Sequence, residues 1–272
     1  MIKTSGLKPD ERTAWALALD AYSDYTRRDL VFDAPLIRIN NTLTVVADDT
    51  PPTRLPPGLD AAARRGLIIG APIYRAHFWT AQLRLNDRWI DAIRPLIAEH
   101  GAAMAAALAH AYRVGWPAAP IVVDAASEAG PNGAYTVDGP PGTAAHTTIE
   151  SANPDLQGDM AFEMVFHEAS HAAGIGDRLS AALDAAAGRQ KFAASRDLWH
   201  AVIFYTTGEL ARRELGKSGD PQYKPYAYRN GVYTRGWQRL RDALERDWLP
   251  YLDSKTSYEE ALAALVRDAA MP

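Results

Sequence analysis

His167 and His171 stand four residues apart with Glu168 between them, in the stretch GDMAFEMVFHEASHAAG. On a helix, side chains four apart rise from successive turns on one side. Two imidazoles so placed can approach a single cation at about 2.0–2.1 Å, and the Glu168 carboxylate then stands beside the ion. A zinc ion held by three protein side chains keeps one position for water and lowers that water's pKa to about 7. Glu168 is placed to take the proton, and to pass it to a leaving amine once hydroxide attacks a polarised carbonyl. The pattern therefore predicts metal-assisted hydrolysis, provided that a third ligand comes from elsewhere in the chain. Its setting agrees: Phe162, Val165, Phe166, Ala169 and Ala173 recur at steps of three and four as one apolar stripe, and both histidines lie off it.

The elements that must carry this motif follow from the pattern on either side of it. Residues 8 to 29 read as a helix opened by Pro9 and Asp10. Leu30 to Ile37 and Leu43 to Ala47, divided by Asn40-Asn41, read as two short strands or a hairpin, and the Pro-rich DDTPPTRLPPG follows as a loop. Two or three helices are expected from Leu59 to Tyr112, one of them ending at His100-Gly101. Between Pro120 and Ser151, PIVVDAA, GAYTVDG and HTTIES are β-prone and separated by Gly/Pro turns. Helices are then expected over about 157 to 173, 178 to 188, 196 to 215, 236 to 248 and 257 to 269. The expected class is α+β, predominantly helical: a small mixed β-sheet followed by the motif helix and further C-terminal helices. Residues 1–118 read as a mostly helical N-terminal region, and 119–272 as the catalytic region, with one compact domain also compatible.

Composition narrows the choice of chemistry. The 272 residues are 47% hydrophobic, ample for a sizeable core, and 29 basic against 33 acidic residues leave a net charge of -4. That balance lacks the electrostatic footprint of a nucleic-acid or anionic-membrane binder. With no cysteine in the chain, thiolate zinc sites, disulfides and cysteine nucleophiles are excluded, and any metal must use His, Asp or Glu. No run approaches the roughly 20 apolar residues of a membrane span. The opening MIKTSGLKPDERTAW has no apolar signal stretch, which predicts a cytoplasmic protein; the lack of cysteine suits a periplasmic or secreted one, shorn of its signal, equally well.

HEASH on a helix preceded by a β-prone segment resembles the zincin metallopeptidases, over roughly residues 144 to 215. The resemblance implies that His167 and His171 bind zinc, that Glu168 is the general base, and that HTTIES (146 to 151) is an edge strand along which an extended peptide pairs. HEASHAAGIGD superficially fits the metzincin spacing with Asp177 at the last ligand position. A metzincin needs a Met-turn, however, and the only later methionine is Met271; Asp177 reads instead as an N-cap for the helix that follows Gly174-Ile175-Gly176. Gluzincins take their third ligand from a downstream helix, here RDLWHAVIFYTTGELARREL, which offers His200 and Glu209 on nearly opposite sides. His200 is the expected ligand because it precedes Phe204 by one turn on an apolar stretch. Glu209 reads as an ion pair with Arg212 and Arg213.

Around this core of His167, His171, His200 and Glu168, weaker candidates remain. Tyr226, Tyr228 and Tyr233 are candidates to stabilise an oxyanion, and Glu163, one turn before His167, either orients a ligand or is solvated. His77, His100 and His110 read as structural, and His146 as a surface residue or a lining of the cleft. The expected activity is that of a zinc metallopeptidase acting on a peptide or protein substrate. A zinc- and peptide-binding protein without catalysis, and a hydrolase of non-peptide amides or esters, are the alternatives.

Overall fold

The structure, a computed structural model, describes residues 6–130, 132–172, 174–191, 194–218 and 222–270. Ala173 of the expected apolar stripe and Met271 lie outside these residues. The class is as expected: a predominantly helical α+β fold with one three-stranded mixed sheet. Strands β1 (Ile121–Ala126), β2 (Ala134–Val137) and β3 (Ala145–Glu150) lie in the order β1-β3-β2. β3 runs parallel to β1 and antiparallel to β2. The expected edge strand is therefore the central one. Both sides of HTTIE are already paired, and the strand with an open side next to the motif helix is β2, since strand order is set by tertiary packing that period-2 patterning does not encode.

The N-terminal strands are likewise replaced by helix. Asp33 accepts a hydrogen bond from the Leu36 amide at 3.0 Å and caps α2 (Ala34–Thr44), with Pro35 in its first turn. Leu36, Ile39 and Leu43 then fall at i, i+3 and i+7 on that helix, a spacing that outweighs the strand propensity of its isoleucines. The expected 8–29 helix ends early, as α1 (Pro9–Ala21) and a 3₁₀ segment (Ser23–Arg27). α3 (Ala61–Tyr74) passes through a π-turn (Arg75–Trp79) into α4 (Thr80–Tyr112).

α4 does not stop at His100-Gly101. It runs 33 residues to Tyr112, and Gly101 is buried within it, where a Cβ would make only ordinary contact with Ile97 and the Phe166 ring. Here α4 packs against the motif helix, α5 (Gly158–Ala169). Behind α5 come α6 (Gly176–Arg189), α7 (Leu198–Ser218), the short α8 (Tyr226–Arg229), α9 (Gln238–Ala243), α10 (Leu249–Leu252) and α11 (Tyr258–Ala270). A π-turn (Leu244–Trp248) joins α9 to α10.

α5 is the axis of the molecule. It packs against α4, α7, β2 and β3, and from Met160 to Ala169 only Val165 is more than slightly exposed. The expected amphipathic helix thus has no solvent face, because helices and sheet surround it. The core that encloses it includes Trp89 and Leu108 of α4, Ile149 of β3 and Trp248, whose indole donates to Thr206 Oγ1 at 2.9 Å. A second tie across the chain is the Trp89 indole, which donates to the Leu156 carbonyl at 2.7 Å just before α5 begins. Among the described residues no helix is long and apolar enough to cross a membrane.

Candidate metal centre

α5 ends at Ala169, two residues earlier than a continuous HEASH helix requires. Ser170 turns its hydroxyl back onto the Phe166 carbonyl at 2.8 Å, a bond that competes with helix continuation. His171 therefore sits in the following turn, its amide donating to the Glu168 carbonyl at 3.0 Å. The turn preserves what the helical spacing was expected to give: His171 Nε2 lies 3.2 Å from His167 Nε2.

His200, in the first turn of α7, completes the group, with its Nε2 3.3 Å from His167 Nε2. One ring nitrogen from each of the three lies within 4.8 Å of the other two. Tetrahedral ligands about 2.0–2.1 Å from a zinc ion are separated from each other by about 3.3–3.4 Å, so separations of 3.2 and 3.3 Å are compatible with a shared metal. Burial also suits the chemistry. It holds the His167 imidazole well below its usual pKa, with His171 and His200 adding to the effect, and takes His171 down to about 3 and His200 to about 4. All three rings are then neutral at pH 7, as metal ligation requires. The His167 ring packs on Phe204 at 3.8 Å between centroids, and its Nδ1 is buried without an acceptor, an exception to the outer bond that most metal-binding imidazoles make. Trp199 stacks on His200 at 5.2 Å and Trp237 meets it edge-on at 5.6 Å.

Glu168 is buried and is held by Thr136 on β2, whose hydroxyl donates to Oε2 at 2.7 Å. Thr136 in turn lies 2.8 Å from Thr147 Oγ1 on β3, its partner in the strand register. Burial pushes the Glu168 carboxyl up to about 7 against the lowering effect of that bond. Thr136 was not foreseen. Nothing in the sequence reports that residue 136 faces residue 168.

The other candidates separate clearly. Asp177 is exposed in the first turn of α6, whose N-cap is Ile175, so it is not the cap; its carboxylate meets the positive end of that helix and stands outside the histidine group. Glu209 binds Arg212 at 2.6 and 2.9 Å and Arg213 at 2.8 Å, the expected ion pairs. His77 bonds Glu11, and His100 packs edge-on against Phe162. His146 is neither on the surface nor in the cleft: it is buried on the far side of β3, between Asp124 Oδ2 at 2.7 Å and Thr44 Oγ1 at 2.9 Å. Of the tyrosines, Tyr228 donates to Glu245 and Tyr233 is buried against Tyr228, while Tyr226 lines the cleft.

That cleft, about 620 Å³, opens over His167, Glu168, His171 and His200. Residues 132–136, leading into and along β2, form one wall, and Trp199, Phe204, Tyr226 and Arg235 the other. Phe32, 81% exposed, reaches its rim from the N-terminal region together with Val31.

Glu163 is neither solvated nor bonded to a ligand. It is buried, accepting from the Tyr223 hydroxyl at 2.6 Å and the Tyr226 amide at 3.0 Å, and so fixes the segment that brings Tyr226 to the cleft. Burial raises its carboxyl from 4.5 to about 7, against those two bonds. A carboxyl whose folded pKa is raised stabilises fully below the unfolded value of 4.5 and loses that contribution as pH rises through about 7. Urea unfolding of chelator-treated protein should therefore show Glu163→Gln gaining on the wild type, by on the order of 3 kcal/mol, between pH 5 and pH 8. An unchanged difference across that range would refute the assignment.

The chain matches no family model, no curated protein and no solved structure.

Proposed function

We propose that the protein is a zinc-dependent hydrolase, and specifically a peptidase. The observation that carries this reading is the convergence of three neutral imidazoles, His171 and His200 each at ligand spacing from His167, with a buried carboxylate beside them in an open cleft. His167, His171 and His200 would hold the metal. Bound there, zinc would polarise a substrate carbonyl and lower the pKa of water at its open position.

The remaining work falls to the chain's own residues. Glu168 takes the proton from the attacking water and returns it to the leaving group, and Thr136 fixes which oxygen of that carboxylate faces the cleft. Tyr226, whose backbone amide donates to Glu163, lines the cleft and is the candidate to stabilise charge developing on the carbonyl oxygen. An extended substrate would pair with the outer side of β2, which takes the part first expected of residues 146 to 151. Backbone pairing of this kind reads a peptide, and favours an amide of a polypeptide over a small ester.

The test is metal content followed by turnover. Protein purified under mild conditions should carry one zinc per chain by mass spectrometry and cleave a denatured protein or a mixed peptide library. A chelator should abolish cleavage and added zinc restore it. Protein that takes up no stoichiometric metal would overturn the whole reading. Zinc-loaded protein inert towards peptides but active on a small ester or amide would overturn the peptidase assignment alone.

A further inference from the structure

On the side of α5 away from the histidines, a second cavity of about 520 Å³ has no part in the chemistry above. Its floor is Val165, Phe166 and Ala169 of α5. One wall is α4, where Trp89, Ile90, Ile93, Arg94 and Ile97 recur at helical spacing, and the other is the segment from Trp116 to Val123 that leads into and along β1. Of all the residues that line it, only Arg94 is charged. Among the described residues no acid or other acceptor engages the exposed Arg94 guanidinium.

We infer that this cavity binds a single-chain amphiphilic carboxylate, its alkyl chain against Phe166 and Ile93 and its head group on Arg94. Three features favour such an occupant. The volume lies in the range of about 300–1,000 Å³ typical of small-molecule sites, and an apolar lining with one polar group is the usual composition of such sites. The lone guanidinium presents a planar fork that matches a carboxylate, and a neutral hydrocarbon would leave it without a partner. A polypeptide strand is a poor alternative: Pro117 and Pro120 lack the backbone N–H groups that strand pairing along this wall needs.

The inference stands apart from the hydrolase reading, and so does its test. Isothermal titration with decanoate, decanol and butyrate, on metal-free and zinc-loaded protein alike, is expected to give saturable one-to-one binding of decanoate. Decanol should bind at least about tenfold more weakly for want of the ion pair, and butyrate, six methylenes shorter, at least about a thousandfold more weakly. Arg94→Gln should weaken decanoate by the same factor and leave decanol unchanged. Ala119→Trp, a change at an exposed wall position, should fill the cavity and weaken both. No saturable decanoate binding would overturn the proposal. So would decanoate affinity untouched by both substitutions, which would put the ligand elsewhere, or a chain that self-associates through this face and excludes decanoate.

Discussion

Glu168→Gln is expected to reduce peptide cleavage by roughly 10²- to 10⁴-fold, the range that a positioned acid–base group contributes, with zinc content unchanged. The substitution keeps shape and hydrogen bonding. The glutamine carbonyl still accepts from Thr136, so the side chain stays where the carboxylate stood, and only the capacity to take a proton is lost. None of the three ring nitrogens belongs to residue 168, so the metal set is intact. The same variant separates catalysis from mere binding: a protein that holds zinc for structure and only carries peptides would bind its partner equally well as Glu168→Gln. Cleavage surviving within about threefold, at full zinc occupancy, would remove Glu168 from the mechanism. Loss of zinc in this variant would instead show that the carboxylate is itself a ligand.

Why the chain revealed the three histidines yet hid their surroundings is a matter of range. His167 and His171 are tied by local geometry, so their approach was legible even though the helix stops short and His171 lies in a turn. His200 was legible for a related reason. An imidazole on a long apolar helix, a turn ahead of Phe204, needs a buried partner, and Phe204 does pack against both His200 and His167. Thr136, Tyr226 and Phe32 reach the cleft only through tertiary packing, which no local period records. The misread elements have the same origin. Residues 34–44 combine strand-forming isoleucines with an Asp-capped start, and the cap together with the i, i+3, i+7 spacing prevails. In β3 the pattern identified a strand correctly but not its place in the sheet, and that place decides whether it can receive a substrate. At Gly101 the residue type suggested a helix end, whereas the packing of α4 against α5 carries the helix through it.

Replacing His200 with Ala should separate the three positions weighed for the third ligand. With only His167 and His171 left, zinc affinity is expected to fall by more than the roughly 10- to 100-fold that loss of an outer-shell partner costs, and turnover at equal total zinc should fall with it. Asp177→Ala and Glu209→Ala are the informative companions. Asp177 is exposed on the first turn of α6, so its removal costs only a weak helix-end interaction, a few tenths to about 1 kcal/mol. Glu209 already binds two arginines, and its loss should lower stability through Arg212 and Arg213 without touching metal content. Because burial keeps the His200 imidazole neutral near pH 7, its removal creates no unpaired charge, and the folded metal-free protein should survive the substitution. Competition with a chromophoric chelator measures all three variants on one scale. If His200→Ala retained wild-type zinc affinity while Asp177→Ala or Glu209→Ala lost it, the convergence of His200 on His167 would be a packing contact, and the metal would have to be sought with a different third partner.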